Sequence, residues 1–358
     1  MSRPARPTLA DVAAQAGVSL KTASRALNGE YGVADTTAER VQEAASRLGF
    51  RLNHLARALA TRQTSATVAL VIPTVSDPFF AALAAEVEST LAPRKLGLIS
   101  ASHGDDMARQ RTLTRTLVER RVDALVVVSA PGDSSYLQLD IDHGLVIGAV
   151  DRPLEGIEVD TVTIDNRGAA REAVTELIAL GHRRIAAIGF DARLWTMSQR
   201  YDGYRDALAA ESVEVDTELV ALNCGDATQA EVTVAAMLNG SDAPTAVFAL
   251  HNRSGRAAIR SMLATGAVVD ITVFDEVADP DLLVIPPLTV VASEPRRLGA
   301  VIAAMVLDRL DGQTGAARHV VLPALFQRPK GAPVLAYSRR RALGTATHIR
   351  ARTEQESR

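Results

Sequence analysis

Two basic side chains, Lys21 and Arg25, lie four residues apart in a segment whose pattern predicts a short helix. Four residues make about one helical turn, so both side chains share one face of that helix. An arginine there can donate two hydrogen bonds to a guanine edge, and a lysine can donate to a base or a phosphate. Taken alone, the pair fits a solvated helix face better, so the surrounding elements must decide between the two interpretations.

The elements around this pair are three short helices predicted within residues 8–50. Thr8 and Asp11 form an acidic variant of the capping box at the start of the first helix. Ser19 is placed to cap the second helix, and the third runs from about residue 35 to residue 48. Two short helices joined by a tight turn and followed by a third are typical of a helix-turn-helix unit.

Charge is distributed unevenly along the chain. Residues 1–62 contain nine Arg/Lys and five Asp/Glu, residues 63–337 contain 24 and 35, and residues 338–358 contain six and two. A basic N-terminal segment on an acidic body suggests a nucleic-acid partner for that segment, although a chance fluctuation in charge would look the same.

From residue 67 onward, short apolar runs alternate with helical stretches. Buried strands that alternate with helices indicate parallel sheets covered on both faces. About 270 residues of this pattern are long for one sheet, so we expect two α/β lobes. The apolar runs are Val68–Ile72, Leu98–Ser100, Ala124–Val128, Val146–Val150, Val162–Ile164, Ile185–Ile188, Ala246–Leu250 and Ile271–Phe274.

Several classes of function find no support in the sequence. The single cysteine excludes a disulfide framework and a cysteine-rich metal site, and the seven histidines show no metal-ligand spacing. The nucleophile elbow, the dinucleotide-binding glycine motif and the phosphate loop are all missing. No apolar run reaches the roughly 20 residues that span a bilayer, and the N-terminus lacks the apolar core of a signal peptide. We therefore expect a soluble cytoplasmic protein that is not an enzyme and has no cofactor, no metal and no membrane partner.

Segments in the same order along residues 8 to about 328 resemble the LacI/GalR (lactose-repressor) family. Residues 8–28 resemble its DNA-binding head, residues 53–59 its hinge helix, and residues 73–80 the first strand-to-helix turn of its effector domain. Later family signatures are matched by Asp165-Asn-Arg-Gly-Ala-Ala170, Leu180-Gly-His-Arg-Arg-Ile185, Arg200-Tyr-Asp-Gly-Tyr204 and Pro286-Pro-Leu-Thr289.

The resemblance implies an N-terminal all-α helix-turn-helix head with a hinge helix, followed by a two-lobed α/β effector domain of the periplasmic-binding-protein type with parallel sheets. We expect the head in residues 1–50, the hinge in 51–62, the effector-binding and dimerisation domain in 63–338 and a disordered tail in 339–358. The N-lobe would contain about 65–162 and 291–317, and the C-lobe about 163–290 and 318–338. The three crossings between the lobes are expected near 161–165, 288–292 and 316–320.

The resemblance also implies which residues meet DNA. The second helix would enter the major groove, with Leu20, Lys21 and Arg25 reading bases. Leu59 would insert between base steps in the minor groove, with Ala56 close to the bases. Leu52 stands where the family usually has proline, which weakens the start of the hinge helix. Phosphate or capping contacts are expected from Thr8, Ser19, Thr22, Ser24 and Asn28.

An effector site is implied between the lobes, at the ends of their strands. Carboxylates, one arginine and aromatic rings there suit a polyhydroxylated ligand such as a sugar. The chain departs from the family at His251-Asn252, at Val273 and at two arginines of the following helix, and this added positive charge leaves a phosphorylated or acidic effector open. The residues expected to contact the effector are Asp77, Phe79, Asp151, Trp195, Arg200, His251, Asn252 and Asp275.

The sequence therefore predicts a homodimeric regulator, most often a repressor in this family, that binds double-stranded operator DNA under the control of a small-molecule effector. It would work in the bacterial cytoplasm and associate with the nucleoid when bound to DNA. The alternative is a cytoplasmic solute-binding protein or a sugar-converting enzyme of similar fold, and the basic head with its intact recognition helix argues against both.

Overall fold

The computed structural model describes residues 7–28, 30–50, 65–277 and 288–328. These residues belong to two compact units, one that ends at Ser65 and one that begins at Ala66. We call them the head and the body and describe each by itself. The predicted hinge and the predicted tail lie outside the described residues.

The head consists of three helices, as predicted: α1 (Leu9–Ala16), α2 (Leu20–Leu27) and α3 (Asp35–Leu48). Thr8 caps α1 through the expected capping box. Its hydroxyl accepts from the Asp11 amide at 3.3 Å, and the Asp11 carboxylate accepts from the Thr8 amide at 2.7 Å. A small core closes the unit, made mostly of alanine and valine: Val12, Ala13, Ala16, Ala23, Ala26, Val41, Ala44 and Ala45.

The body alternates strands with helices, and each predicted apolar run forms a strand. The strands are β1 (Thr67–Ile72), β2 (Gly97–Ser102), β3 (Ala124–Val127), β4 (Val146–Val150), β5 (Asp160–Ile164), β6 (Ile185–Ile188), β7 (Val220–Ala221), β8 (Ala246–Ala249), β9 (Asp270–Phe274), β10 (Thr289–Ala292), β11 (His319–Leu322) and β12 (Leu325–Gln327). The helices are α4 (Pro78–Leu91), α5 (Met107–Glu119), α6 (Gln138–Asp142), α7 (Asn166–Ala179), α8 (Trp195–Ala210), α9 (Ala227–Asn239), α10 (Asn252–Thr265) and α11 (Pro295–Leu310).

Two six-stranded sheets divide the body into an N-lobe and a C-lobe. The N-lobe sheet has the order β11-β5-β4-β3-β1-β2, and the C-lobe sheet has the order β12-β10-β9-β8-β6-β7. All pairings are parallel except that of β10 with β12. The two orders are equivalent, so β4 of the N-lobe corresponds to β9 of the C-lobe. Equivalent strands therefore end at equivalent positions on the two facing edges, where ligands of open α/β sheets bind.

Helices cover both sheets and approach one another closely. A Cβ atom at Gly203 of α8 would lie 2.3 Å from the Arg167 carbonyl of α7, and one at Gly299 would lie 2.8 Å from the Leu83 carbonyl of α4. Only glycine permits these two helix contacts without displacement of the backbone. Within the described residues, no helix is long and apolar enough to cross a membrane.

The chain crosses between the lobes after β5, after β10 and between β11 and β12. The first two crossings lie at or beside the expected positions. The third follows Leu322, later than the expected 316–320, because β11 pairs in parallel with β5 and so belongs to the N-lobe. Likewise β10 belongs to the C-lobe sheet, so the second N-lobe segment begins after Ala292 and not at 291.

Candidate functional site

The recognition helix α2 turns one face into the head core and the other outward. Ala23 and Ala26 are buried against α1 and α3. On the opposite side, Leu20 is 54% exposed and Lys21 is exposed. An exposed leucine beside an exposed lysine at the start of this helix suits contact with base edges in a major groove.

The polar residues expected to touch phosphates lie at the ends of the helices. The Ser19 hydroxyl accepts from the Thr22 amide at 3.1 Å, and the two hydroxyls lie 2.8 Å apart. The Asn28 side-chain amide donates to the Ser24 hydroxyl at 3.4 Å, and Thr8 caps α1. These contacts fix the ends of α2. Ala56 and Leu59 lie outside the described residues.

Arg25 lies on α2 and is held by the loop that follows this helix. Its Nη2 donates to the Tyr31 carbonyl at 2.5 Å, and its Nε lies 3.5 Å from the Glu30 carboxylate. Neither Glu30 nor Tyr31 was predicted from the sequence to contact Arg25. Glutamate just after a helix is common, so its type alone carried no signal.

Two aspartates occupy equivalent positions on the facing edges of the lobes. Asp151 follows β4 and Asp275 follows β9, with φ of 67° and 64°. The Asp151 amide donates to Val162 of β5, and the Asp275 amide donates to Val291 of β10, both at 2.9 Å. A left-handed backbone at a residue other than glycine costs about 1 to 3 kcal/mol and concentrates at functional sites.

The Asp151 carboxyl group is buried and the Asp275 side chain is only 13% exposed, so burial shifts the titration of both. Burial raises the pKa of Asp151 to about 6, against the opposing effect of the Arg152 and Arg200 guanidinium groups. Burial also raises the pKa of Asp275, against the opposing effects of the Arg200 guanidinium and of a hydrogen bond from the Ser293 amide at 3.0 Å. When ionised, both carboxylates can accept hydrogen bonds from ligand hydroxyls.

Arg200 of α8 lies between these elements and is 2% exposed. Its Nε donates to the Asn166 side-chain oxygen and its Nη1 to the Leu250 carbonyl, both at 2.7 Å. Its Nη2 lies 3.8 Å from the Asp275 carboxylate, and its guanidinium stacks 3.9 Å from the centre of the Phe274 ring. The structure therefore places the Arg200 guanidinium beside the Asp275 carboxylate.

A polar contact joins the lobes at the start of α4 and α10. Asp77 caps α4 by accepting from the Phe79 amide at 2.9 Å, and the Asn252 side chain of the C-lobe donates to it at 3.4 Å. His251 Nε2 lies 3.8 Å from the other Asp77 oxygen. Because His251 Nδ1 accepts from the Arg253 amide at 3.2 Å, the ring proton is on Nε2.

The charge of His251 follows from its surroundings. Burial, together with the guanidinium groups of Arg200 and Arg253, lowers the pKa of His251 to about 3. The ring is therefore neutral at pH 7 and presents an N–H donor to the cleft. His251 and Asn252 therefore contribute neutral polar groups at the end of β8.

Two cavities lie between the lobes, on either side of the contact between Asp77 and Asn252. The larger, about 480 Å³, is lined by Pro73, Thr74, Ser76, Asp77, Pro78, Gly104, Asp105, Asn252, Arg253 and Arg256. The smaller, about 350 Å³, is lined by residues that include Phe79, Asn252, Asp275 and Ser293. The buried Ser293 hydroxyl and Asn252 side-chain oxygen find no hydrogen-bond partner among the described residues. A ligand in the smaller cavity could satisfy both atoms.

Phe79 and Trp195 are the two aromatic residues that were predicted to contact the effector. Phe79 is half-buried beside the core residue Phe80, with ring centres 5.1 Å apart. Trp195 is half-buried in the first turn of α8. Four predicted contacts line neither of the two cavities: Asp151, Trp195, Arg200 and His251.

The structure adds two groups that the sequence analysis did not assign to the cleft, Asp105 and Ser293. Asp105 follows β2 and accepts from Arg152 Nη1 at 2.6 Å, and Ser293 follows β10. Both occupy strand-end loops. That position is the signal by which they could have been found once the strand ends were known.

Comparison with known proteins agrees with this architecture. Residues 8–53 match the family described as bacterial regulatory proteins of the lacI family. Residues 65–329 match the family described as periplasmic binding proteins and the sugar binding domain of the LacI family.

Individual proteins match nearly the whole chain. The HTH-type transcriptional regulator CelR of Thermobifida fusca is 35% identical over 337 residues, which cover 90% of this chain and 97% of CelR. A solved complex of the transcriptional regulator CelR with cellobiose superposes with a TM-score of 0.66 at 30% identity and covers 91% of this chain and 100% of that one. The lac repressor dimer bound to operator and the anti-inducer ONPF superposes with a TM-score of 0.76 over 91% of this chain and 99% of that one, and at 21% identity it shows a common fold.

Proposed function

Because the chain belongs to the LacI family of bacterial regulatory proteins, it is a DNA-binding transcriptional regulator, and we propose that a sugar bound between its lobes controls its affinity for operator DNA. It is a regulator and not an enzyme, which removes the sugar-converting alternative. As a homodimer, it would present two heads to one operator. We propose that it is located in the bacterial cytoplasm, and on the nucleoid when it is bound to DNA, because operator DNA lies there.

We propose a division of roles within the head and the hinge. Leu20, Lys21 and Arg25 read base edges from the outward face of α2, and Leu59 with Ala56 acts in the minor groove. The residues that contact phosphates or fix the helix ends are Thr8, Ser19, Thr22, Ser24 and Asn28. The basic composition of residues 1–62 supports this assignment.

Arg253 and Arg256 line the larger cavity, so a phosphorylated or acidic ligand remains the alternative to a neutral one. Three other arginines of the body already face carboxylates: Arg152 meets Asp105 at 2.6 Å, Arg193 meets Asp191 at 2.7 Å and Arg200 meets Asp275 at 3.8 Å. An anionic ligand would have to compete with these carboxylates for the guanidinium groups. A polyhydroxylated ligand can instead donate to the carboxylates and accept from the arginines and from His251.

The two cavities on either side of the Asp77–Asn252 contact carry this proposal. Their volumes, about 480 and 350 Å³, each lie within the range of small-ligand pockets. A disaccharide could place one ring in each cavity and replace the 3.4 Å contact between them. CelR forms a complex with cellobiose, so cellobiose is the first candidate for this chain. The proposed contacts are Asp77, Phe79, Asp151, Trp195, Arg200, His251, Asn252 and Asp275.

The mechanism follows from linkage between two sites. A ligand that contacts both lobes favours one relative orientation of them, and that orientation would be passed through residues 51–62 to the paired heads. Ligand and DNA affinities are then reciprocally coupled, typically by about 1 to 3 kcal/mol.

A thermal-shift comparison of cellobiose, maltose and glucose tests this proposal. Cellobiose at about 100 times its dissociation constant should stabilise the body by about 2.7 kcal/mol, which raises the melting temperature. In a gel-shift assay, it should also change the affinity for a duplex selected from random DNA by the wild-type chain. Asp275→Asn should weaken the cellobiose shift and leave selection of DNA unchanged. Equal shifts from all three sugars, or none, would reject the assignment of a disaccharide to this cleft.

A further inference from the structure

Several contacts join Arg25 to the loop that follows α2. Arg25 Nη2 donates to the Tyr31 carbonyl at 2.5 Å, and Arg25 Nε lies 3.5 Å from Glu30 Oε2. The loop is itself fixed to the helix, because the Glu30 amide donates to the Arg25 carbonyl at 3.0 Å. The Asn28 side-chain amide donates to the second Glu30 oxygen at 3.3 Å. Two independent bonds therefore place the Glu30 carboxylate beside the guanidinium.

The geometry leaves one edge of the guanidinium open. Glu30 lies against Nε, and the Tyr31 carbonyl takes one hydrogen of Nη2. No hydrogen-bond partner within the described head faces Nη1. Nη1 and the remaining hydrogen of Nη2 stay available to the O6 and N7 atoms of a guanine, and we call these donors the Arg25 fork. Gly32 permits the arrangement, because a Cβ there would lie 3.1 Å from Arg25 Nη2.

We propose that Glu30 is a positioning residue that determines specificity, holding the Arg25 fork ready for a guanine edge. This inference rests on the proposed role of Arg25 as a base reader. Arginine loses conformational freedom when it is fixed on DNA, and a side chain ordered beforehand loses less on binding. This gain in affinity applies only to the complex in which the Arg25 guanidinium meets its guanine.

An acidic residue beside a DNA-reading arginine has a second effect of opposite sign. Its negative charge opposes phosphates on every sequence and so weakens specific and non-specific binding together. Loss of Glu30 therefore strengthens binding to random DNA but lowers the preference for the selected site. Removal of a charge with no positioning role would strengthen both and leave their ratio unchanged.

The experiment uses the full chain and two duplexes of equal length, one selected from a random library by the wild-type chain and one of random sequence. The readout is the ratio of the two affinities together with the base preference at each position. Glu30→Gln should lower the ratio roughly 2- to 10-fold, the effect of losing the order of one long side chain. Preference should relax at one base pair in each half-site. Retained binding to random DNA shows that the variant head is folded.

Glu43→Gln is the matched control, because Glu43 pairs with Arg47 on α3 of the same head at 2.5 Å. Its ratio should equal that of the wild type. In an Arg25→Ala background, Glu30→Gln should produce no further loss, since the two act as one unit. A ratio for Glu30→Gln equal to that of Glu43→Gln, or an undiminished effect without Arg25, would overturn the proposal.

The Arg25→Ala variant by itself distinguishes failure of the role of Arg25 from failure of the role of Glu30. If Arg25→Ala keeps the wild-type ratio, its role as a base reader fails, and the proposal for Glu30 fails with it. If Arg25→Ala lowers the ratio while Glu30→Gln does not, only the role of Glu30 fails.

Discussion

The buried side chain of Asp151, a proposed ligand contact, lowers the stability of the folded body. It is 5% exposed and lies in a left-handed backbone conformation at the end of β4. Its partner Arg152 lies 3.5 Å away and is shared with Asp105. The neighbouring charges therefore offset only part of the cost of burying this carboxylate, and burial raises its pKa to about 6.

Asp151→Asn should stabilise the body at neutral pH. The folded-state pKa lies above the unfolded value of about 3.9, so the folded protein loses stability as the pH rises from about 4 to about 6. Asparagine tolerates the left-handed backbone and carries no charge. We expect a gain of about 2 to 3 kcal/mol in the free energy of unfolding at pH 8, which disappears near pH 4.

Urea denaturation of wild type and variant across this pH range measures the difference. Glu88→Gln, a change at an exposed position of α4, is the control and should show no such pH-dependent gain. The same Asp151→Asn variant should bind cellobiose more weakly, because an amide accepts fewer hydroxyl hydrogen bonds than a carboxylate. An equal or lower stability at pH 8 would mean that Asp151 is adequately paired in the folded state.

At the scale of elements, the sequence predicted eight of the twelve described strands and missed β7, β10, β11 and β12. Runs such as Ala124–Val128 are uniformly apolar because helices cover both faces of the central strands. Strand β11 (His319–Leu322) has only three apolar residues and is buried only at Leu322, and β12 has three residues, so neither was recognised from the sequence. The third crossing was therefore expected too early in the chain.

The candidate site was predictable to the same extent. The ends of β4 and β9 predicted the positions of Asp151 and Asp275, and the resemblance predicted Arg200, which lies in α8. The contact between Asp77 and Asn252 depends on how far the lobes close, which no local pattern encodes. The bond from Arg25 to the Tyr31 carbonyl likewise depends on a loop conformation set by tertiary contacts.

Asp160, at the start of β5, joins three elements of the N-lobe. Its carboxylate accepts from Arg309 of α11 at 2.8 and 3.0 Å, and from the side chain of Arg318, just before β11, at 2.6 and 3.1 Å. The Arg318 amide donates to it as well. Burial opposes ionisation, but the hydrogen bonds from the two arginines outweigh it and hold the pKa of Asp160 well below its usual range.

Asp160→Asn should therefore destabilise the body at neutral pH, in contrast to Asp151→Asn. It removes the carboxylate that pairs with Arg309 and one of the two that pair with Arg318, which keeps Asp308 at 2.7 Å. We expect a loss of about 3 kcal/mol in the free energy of unfolding at pH 7. The lowered pKa means that the wild type holds this stability above about pH 4 and loses it as the pH falls further, so the difference should narrow in acid.

Chemical denaturation at pH 7 and at pH 3 measures this difference. Asp311→Asn is the matched control, since it breaks an exposed pair with Arg94 at the end of the same helix and should change stability little. A loss at pH 7 no larger than that of Asp311→Asn would show that β11 and α11 are held by packing alone.

At the scale of the whole molecule, the effector must act on DNA through the segment that joins head and body. The two lobes carry equivalent aspartates, Asp151 and Asp275, on facing edges, so a ligand between them contacts both halves of the body. Its preference for one lobe orientation becomes a change in DNA affinity only if residues 51–62 transmit it. The resemblance assigns the decisive contact there to Leu59.

Leu59→Ala should separate specific from non-specific binding. Affinity for random-sequence DNA and its salt dependence should persist, because Lys21, Arg25 and their neighbours supply them. Affinity for the selected duplex should fall, because separating a base step costs a few kcal/mol that an apolar side chain must offset. DNA bending, measured by moving the site along a fragment, should fall in the same variant.

Lys21→Ala provides the contrast, since it removes a charge from the head and leaves the hinge sequence intact. It should weaken binding to both duplexes, reduce the salt dependence by about one phosphate contact and leave the bend unchanged. Leu52 stands where the family usually has proline, and this weakens the start of the predicted hinge helix, on which the role of Leu59 depends. If Leu59→Ala bends the selected duplex fully and binds it as tightly as the wild type, residues 51–62 are a plain tether. The sugar would then have to act by another route, such as dissociation of the dimer.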